Sequence, residues 1–345
     1  MPAYDAFLLV SFGGPEGPDD VMPFLQNVTR GRGVPPERLA SVAEHYYAVG
    51  GVSPINQQCR DLLAAIRTAF PASGLSLPVY WGNRNWTPYL TDTVRAMAAD
   101  GVKRAVALVT SAYSSYSSCR QYLEDIERAR AEVGPAAPRI DKIRRFFNHP
   151  GFIEPFAAST RAALSTLPAD LRDDAHLVFT AHSIPVAMAE ASGPGGTNRY
   201  VAELNEAAGL VAERAGGGTH PWTLAYQSRS GPPSQPWLEP DIRDRLGELS
   251  KSGTKAVVVI PVGFVSDHME VRHDLDVEAA ETADSLGLAF ARAATPGRHP
   301  AFVSMITELV RERLTLPDDT VPGQDCPADC CRYVAAGRPG GGARA

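Results

Sequence analysis

Three carboxylates are spaced along one predicted helix in the C-terminal third of the chain. Glu270, Asp274 and Glu278 follow one another at four-residue intervals, so an α-helix would align them in a row on one face. Neighbouring carboxylates repel each other, and such a row is therefore either solvated or available to a cation. Asp267 and His268 lie just before it, at the predicted end of a buried strand, where open α/β sheets bind ligands. This location favours a metal site over a solvated acidic face, which is the usual environment of charged residues.

A histidine is predicted at the end of a second strand. His182 follows the apolar run 176–180, and we expect it to lie beside Glu270, because parallel strands end at the same edge of a sheet. A neutral imidazole, with an ordinary pKa of about 6.5, can accept a proton or bind a metal. A single histidine at a strand end is more often structural, but the pairing with Glu270 favours a functional role. Nitrogen and oxygen ligands suit a divalent transition metal that is held weakly enough to be released, and the spacing of a structural zinc site is absent here.

The elements that must position these residues alternate between strands and helices in both halves of the chain. Strands are predicted at residues 6–11, 78–81, 105–110, 140–146, 176–180, 223–227, 256–260 and 288–291, with helices between them. This alternation predicts an α/β protein with doubly wound parallel sheets. We place the boundaries so that residues 1–150 form an N-terminal domain, 151–315 a C-terminal domain and 316–345 a cysteine-containing tail. Gly13 and Gly14 follow the first strand without a GxGxxG pattern, which argues against a dinucleotide site.

The composition is that of an ordinary globular protein. Of the 345 residues, 21% are charged and 44% are hydrophobic, and the formal net charge is −6. The length suits about two domains, and the charge gives no reason to expect a nucleic-acid surface. The first apolar run is too short for a signal peptide or a membrane span, and we therefore expect a cytoplasmic enzyme.

Several polar residues in predicted loops could bind a planar ligand with acidic arms. Arg30 lies in the loop before the helix predicted to start near Pro36, and Tyr46 and Ser53 flank the glycine pair at residues 50–51, whose missing side chains let the backbone approach a ligand closely. A second loop, rich in serine and tyrosine, leads to Tyr122 and could hydrogen-bond carboxylates. Taken singly, each of these residues is more often a surface residue, and serine-rich loops are commonly solvated turns.

Five segments carry the most distinctive motifs of the chain. They are LLVSFGGP (8–15), GGVSPI (50–55), TAHSIP (180–185), AYQSRSGPPSQPWLEP (225–240) and PVGFVSDHMEVRHDLDVE (261–278). Together they resemble the ferrochelatases, enzymes that insert Fe(II) into a porphyrin to make haem, and the resemblance extends from about residue 6 to residue 314. It implies two Rossmann-like domains with parallel four-stranded sheets, which enclose a porphyrin cleft and bind no nucleotide. Matched motif to motif, the invariant histidine of the family corresponds to His182 and its essential glutamate to Glu270.

The reaction that this resemblance implies removes two protons from pyrrole nitrogens while one Fe(II) loses its water and enters the ring. His182 would accept a proton or bind the iron, which the sequence leaves open, and Glu270 would deliver the metal. Asp274 and Glu278 would continue the acidic row and pass protons or hydrated metal outward. A cleft that binds the bent macrocycle stabilises the transition state, and Phe12 is predicted to belong to its aromatic wall. Some relatives have tyrosine at that position, so iron ligation by a phenolate cannot occur there in this chain.

The resemblance also bears on which porphyrin is used. Bacterial ferrochelatases without an apolar membrane-binding lip resemble the coproporphyrin branch, in which coproporphyrin III, with four propionates, becomes coprohaem. Arg30, Tyr46, Ser53 and Tyr122 suit a tetra-anionic ligand better than the more apolar protoporphyrin IX, and the family motifs place Ser53 and Tyr122 against the substrate. The alternatives are a protoporphyrin IX ferrochelatase, a cobalt or nickel chelatase acting on a reduced tetrapyrrole, and a non-catalytic iron–sulfur or haem carrier. Enzymes of the haem pathway are candidate partners.

The five cysteines are unevenly distributed, with three of them near the C-terminus. An odd, clustered set in a cytosolic chain indicates metal ligation rather than disulfides. Some ferrochelatases carry a [2Fe–2S] cluster with one remote ligand, and the resemblance implies one here. Its four thiolates would come from Cys119, Cys326, Cys330 and Cys331. Cys330 and Cys331 are adjacent, which departs from the family pattern, Cys59 is the spare thiol, and a zinc site or a redox pair is the alternative.

Overall fold

The computed structural model describes residues 4–31, 33–232, 234–315 and 329–333. Cys326 therefore lies outside the described residues. Within them the chain forms two four-stranded sheets, one in each half, and every strand pairing in both sheets is parallel. The predicted α/β class with two parallel four-stranded sheets is confirmed.

The sheet of the first half consists of β1 (Ala6–Ser11), β2 (Val79–Asn83), β3 (Arg104–Val109) and β4 (Arg139–Lys142). Its spatial order is β2-β1-β3-β4. The helices of this half are α1 (Pro18–Val28), α2 (Pro36–Tyr47), α3 (Ile55–Ala72), α4 (Leu90–Ala99) and α5 (Gln121–Val133), and a π-helical turn at Tyr116–Arg120 precedes α5. Every residue of β1 is buried, as expected for an apolar strand covered on both faces.

The sheet of the second half consists of β5 (His176–His182), β6 (Trp222–Gln227), β7 (Ala256–Ile260) and β8 (Ala289–Arg292). Its spatial order, β6-β5-β7-β8, has the same pattern as that of the first sheet. The helices of this half are α6 (Pro150–Thr166), α7 (Val186–Glu190), α8 (Arg199–Gly216), α9 (Ile242–Lys251), α10 (Met269–Val271), α11 (Ala280–Ser285) and α12 (Pro300–Thr315), with a 3₁₀ turn at Ala169–Leu171.

One large cluster of buried apolar side chains extends through both halves. It contains Phe7 on β1 and Phe179 on β5, and α12 packs against both α3 and α6. A hydrogen bond also joins the halves near the strand ends, because the backbone N–H of Asp267 donates to Gln58 on α3 at 2.9 Å. The loop after β7 is therefore tied to the first half. The division of the chain at residue 150 stays a prediction.

The segment after Glu270 is not the regular α-helix that the carboxylate spacing predicted. α10 is a single turn, a π-helix follows at Arg272–Ala279, and α11 then continues in the α form. A π-helix has i→i+5 hydrogen bonds and is frequent at functional sites. The wider turn changes which side chains share a face of the helix. As a result, His273 lies close to Asp274 and Glu278.

Candidate active site

His182 and Glu270 meet at the carboxyl ends of two neighbouring strands. His182 is the last residue of β5, and Glu270 lies in α10 after the loop that leaves β7. The His182 Nε2 atom is 3.5 Å from a carboxylate oxygen of Glu270, and its Nδ1 atom is 2.5 Å from the carbonyl oxygen of Ser183. The two side chains keep 33% and 50% of their accessible surface. Both side chains are therefore partly accessible at the strand ends rather than buried in the core.

The two groups stabilise each other's charged forms. Burial would lower the pKa of His182, but the hydrogen bond and negative charge of Glu270 outweigh burial and raise that pKa above its usual 6.5. Burial would likewise raise the pKa of Glu270, but the hydrogen bond and charge of His182 bring it down to about 2. Burial lowers the pKa of the neighbouring His268, which favours its neutral form. Without metal or substrate, His182 and Glu270 thus tend to form an imidazolium–carboxylate pair.

Asp274 is a third titratable group at this site, and the end of β6 holds its carboxylate. Ser228 Oγ donates a hydrogen bond to it, and the amide nitrogen of Gln227 lies 3.3 Å from the same oxygen. Ser228 has a positive φ of 62°, an unfavourable conformation for a non-glycine residue that tends to occur at functional sites. Burial and the charges of Glu270 and Glu278 raise the pKa of Asp274 to about 6, against the opposing hydrogen bond. Asp274 can therefore exchange protons near neutral pH.

A group of metal-binding atoms lies on the π-helix. His273, Asp274 and Glu278 each offer one ligand atom, and these atoms lie within 4.8 Å of one another. Imidazole nitrogen with carboxylate oxygens is a suitable ligand set for a divalent transition metal. The sequence-based prediction included the two carboxylates but omitted His273. Its position next to Asp274 was the only available signal, and adjacent residues of an α-helix do not face one another.

A histidine from the first half packs against this group. The ring of His45 on α2 is stacked on that of His273, with centroids 3.8 Å apart and an angle of 7° between the planes. Burial, and then the charge of His273, lower the pKa of His45. The neutral ring that results keeps a nitrogen lone pair. The stack brings α2 of the first half into direct contact with the π-helix of the second.

The predicted substrate-binding residues differ in accessibility. Arg30 is exposed and Phe12 is half-buried. Ser53 and Tyr122 retain only 4% of their surface, and Tyr46 retains 8% within a small cluster of buried apolar side chains. Burial raises the pKa of Tyr46 far above its usual range, so its hydroxyl stays protonated. The substrate contacts of all five residues stay predictions.

Ser53 is held in place by the turn after β1. Its backbone N–H donates to the carbonyl oxygen of Pro15 at 2.8 Å. A Cβ atom built on Gly14 would lie 2.7 Å from the Cβ of Ser53 and 2.9 Å from Ile55. Gly14 is therefore required for close packing against Ser53.

The cysteines of the predicted cluster are buried where the structure describes them. Cys119 lies in the π-helical turn before α5, and Cys330 and Cys331 lie in the described part of the tail, with Sγ atoms 3.6 Å apart. The backbone N–H of Gly193 donates to Cys331 Sγ at 3.2 Å. Cys59 lies apart from them in sequence, on α3 in the main core, where burial raises the pKa of its thiol to about 11.

The tail also contacts the turn that carries Cys119. The rings of Tyr116 and Tyr333 lie 6.3 Å apart, and Gln235 donates to the Tyr333 hydroxyl at 3.0 Å. The described thiols thus fit the donor set of an iron–sulfur cluster in type and burial.

Among the described residues, no helix is both long enough and apolar enough to span a membrane.

The chain resembles known proteins over nearly its whole length. A family model described as Ferrochelatase matches residues 4–314. A protein of Nocardia farcinica named Coproporphyrin III ferrochelatase is 55% identical, and the match covers 97% of this chain and 100% of that protein. A protein of Rhodopirellula baltica named Ferrochelatase is 52% identical over 98% of both chains. The solved structure of SirB from Bacillus subtilis with Fe3+ has a TM-score of 0.57 at 12% identity, covering 90% of this chain and 95% of that one, which shows a common fold.

Proposed function

The chain belongs to the ferrochelatase family and is a metal chelatase, a lyase, and from this premise we propose that it inserts Fe(II) into coproporphyrin III. The products are Fe-coproporphyrin III, or coprohaem, and two protons. The name of the Nocardia farcinica relative supports this choice of substrate. The observation that carries the proposal is the pair of His182 and Glu270, 3.5 Å apart and both partly accessible at the strand ends.

In the proposed reaction, Glu270 receives the metal and His182 accepts pyrrole protons. Glu270, with a pKa of about 2, is ionised at neutral pH and ready to bind a cation. Fe(II) at Glu270 would neutralise the charge that raises the pKa of His182, and so would lower that pKa. His182 would then lose its own proton and become a base as the metal arrives. Metal binding and base activation are thereby coupled in one pair of side chains.

Asp274, Glu278 and His273 are the proposed route to and from this pair. Their ligand atoms converge within 4.8 Å, which suits transient binding of a hydrated divalent ion. Asp274, with a pKa of about 6, can take a proton from the cleft and release it to solvent. The two protons that leave the macrocycle are thus exchanged for one Fe(II), and the charge of the cleft is conserved over the reaction.

The four propionates of coproporphyrin III would be bound by Arg30, Tyr46, Ser53 and Tyr122. Protoporphyrin IX is the second candidate substrate, since the Rhodopirellula baltica relative has the unspecific name Ferrochelatase. Rates of Fe(II) insertion into both porphyrins, measured side by side, decide between them. A higher kcat/KM for coproporphyrin III supports the proposal, and a higher value for protoporphyrin IX refutes the choice of substrate.

The test of the catalytic pair is the substitution His182→Ala. We expect the formation of coprohaem, followed by its visible absorption, to fall by about 100-fold or more, the usual contribution of a general base. The matched control is His176→Ala at the other end of the same strand, where Nε2 lies 3.2 Å from the Thr223 hydroxyl. Activity of the control should stay within about threefold. Equal activity of His182→Ala and wild type would refute the proposal.

We also propose that the chain holds a [2Fe–2S] cluster on Cys119, Cys330, Cys331 and Cys326, the last of which lies outside the described residues. Buried thiols and the N–H donated to Cys331 support it, because such bonds stabilise thiolate sulfur. When bound, the cluster would supply a redox-active link between the tail and the turn of Cys119. Anaerobically purified protein should contain about two acid-labile sulfides per chain, Cys331→Ser should lose them, and Cys59→Ser should keep them. Wild-type protein without labile sulfide would disprove the assignment.

A further inference from the structure

The guanidinium of Arg84 lies against two aromatic rings. One is Phe12, which the family resemblance places in the aromatic wall of the cleft, and the other is Tyr122, which is proposed to bind a propionate. The Cζ atom of Arg84 is 4.4 Å from the centroid of the Tyr122 ring and 5.7 Å from that of the Phe12 ring. Arginine is suited to such contacts, because its planar, delocalised cation stacks on aromatic faces. Arg84 belongs to the loop after β2.

Arg84 is itself held rigidly. Its Nε atom donates to the carboxylate of Asp125, which lies one turn after Tyr122 on α5. Its backbone N–H donates to the carbonyl oxygen of Ser11 at 2.9 Å, and the next N–H, that of Asn85, donates to the carbonyl of Phe12 at 3.0 Å. The loop is thus hydrogen-bonded to the end of β1 while its side chain is anchored to α5.

The ion pair with Asp125, rather than burial alone, excludes a direct role of Arg84 in binding substrate, because the guanidinium is already matched to a carboxylate. The side chains of Arg84 and Asp125 keep only 6% and 7% of their accessible surface. A propionate would have to displace Asp125 from a desolvated site to reach the guanidinium. Phe12, by contrast, is half-buried and has no ion pair that a ligand would have to break. We therefore assign the contact with the ligand to Phe12, whose ring lies against Arg84.

We propose that Arg84 is a positioning residue that holds Phe12 and Tyr122 so that the cleft fits a bent rather than a planar tetrapyrrole. This inference rests on the proposed function. Metal insertion requires the nitrogen lone pairs to leave the plane of the macrocycle, and binding energy that is realised only in the bent form raises kcat. A ring that can tilt away would fit the planar ligand equally well. Lysine cannot replace Arg84, because its ammonium is compact and cannot stack on two rings.

The test compares a planar and a bent ligand without turnover. Affinities for coproporphyrin III and for N-methylcoproporphyrin III, whose N-methyl group forces the macrocycle out of plane, are measured by fluorescence in wild type, Arg84→Lys and Arg84→Met. We expect the preference for the bent ligand to fall about tenfold in both variants, and kcat to fall by a similar factor with KM for coproporphyrin III within about threefold.

The chain offers a matched control in Arg104→Met. Arg104 lies at the amino end of β3, at the opposite end of the strand from the edge that carries the site, with its guanidinium 4.5 Å from the Tyr4 ring and Nε 2.7 Å from partly buried Asp141. This variant should lose thermal stability but keep the wild-type preference for the bent ligand. Should the Arg84 variants not fold, Asp125→Asn provides a second test. This variant keeps the guanidinium of Arg84 but weakens its bond to residue 125. It should reduce the preference for the bent ligand by a smaller factor.

An unchanged preference in the soluble Arg84 or Asp125 variants, or an equal fall in Arg104→Met, would overturn the positioning role. A wild-type protein that binds coproporphyrin III but forms no coprohaem would instead refute the proposed function. The ligand preference would then still test the role of Arg84, because its measurement requires neither iron nor catalysis.

Discussion

Asp274 should make the metal-free protein less stable, and replacing it with asparagine should reverse this effect. Burial and the charges of Glu270 and Glu278 raise the pKa of Asp274 from 3.8 to about 6. The folded state therefore disfavours the ionised carboxylate that prevails near neutral pH. Asparagine has no charge and keeps an oxygen that can accept the hydrogen bond of Ser228.

The size and pH dependence of this loss of stability follow from the pKa of Asp274 in the folded state, about 6, and its ordinary value of 3.8 in the unfolded state. Since each pKa unit corresponds to about 1.4 kcal/mol, ionised Asp274 lowers the free energy of unfolding by about 3 kcal/mol above about pH 7. The penalty is about half as large near pH 5, where the folded carboxyl is protonated and the unfolded one is still ionised. It vanishes below about pH 3, where the carboxyl is protonated in both states. Asp274→Asn should therefore gain stability as the pH rises from 5 to 7.

Urea unfolding of metal-free wild type and metal-free Asp274→Asn, with chelator present, measures the difference in their free energies of unfolding at about pH 5 and pH 7.5. The same substitution at Asp276, also on the π-helix, is the control. Asp276 is paired with Arg292, so Asp276→Asn should destabilise the protein. Excess divalent cation should stabilise wild type more than Asp274→Asn, because the variant lacks one ligand. A destabilised Asp274→Asn, or a gain independent of pH, would refute the assigned environment.

Two further substitutions test the site. Glu270→Gln removes the charge that raises the pKa of His182. The midpoint of an NMR titration of the His182 ring should therefore move to lower pH. A midpoint that stays the same or rises would contradict the pairing of His182 with Glu270. Gly14→Ala places a methyl group 2.7 Å from the Cβ of Ser53, and KM for the porphyrin should rise about tenfold if Ser53 binds it. Gly17→Ala, which meets no atom within 4 Å, should leave KM unchanged, and equal effects of both changes would argue against a role of Ser53.

Much of the fold could be predicted because strand-forming patterns are local. The run AVVVI of β7 is buried at every residue, as a β-branched segment covered on both faces should be. The alternation of such runs with helices required parallel sheets. Parallel strands place their carboxyl ends at one edge of the sheet, and this rule alone predicts that His182 and Glu270 lie close together. The family was likewise recognisable from short motifs, and the family model confirms it.

The parts of the site that could not be predicted depend on distant segments. The π-helix after Glu270 was read as an α-helix, because residue spacing does not determine which carbonyl each N–H will bond. The stack of His45 on His273 joins residues 228 positions apart in the chain, and neither has an unusual local sequence.

By itself, then, the sequence determined the strands, their parallel arrangement and the strand ends at which His182 and Glu270 lie, since these follow from the periodicity of apolar residues. Only the tertiary structure decided that Arg84 lies against the rings of Phe12 and Tyr122, and that His273 joins Asp274 and Glu278. Such contacts depend on how two sheets and their helices pack, and packing is a property of the whole chain rather than of any segment.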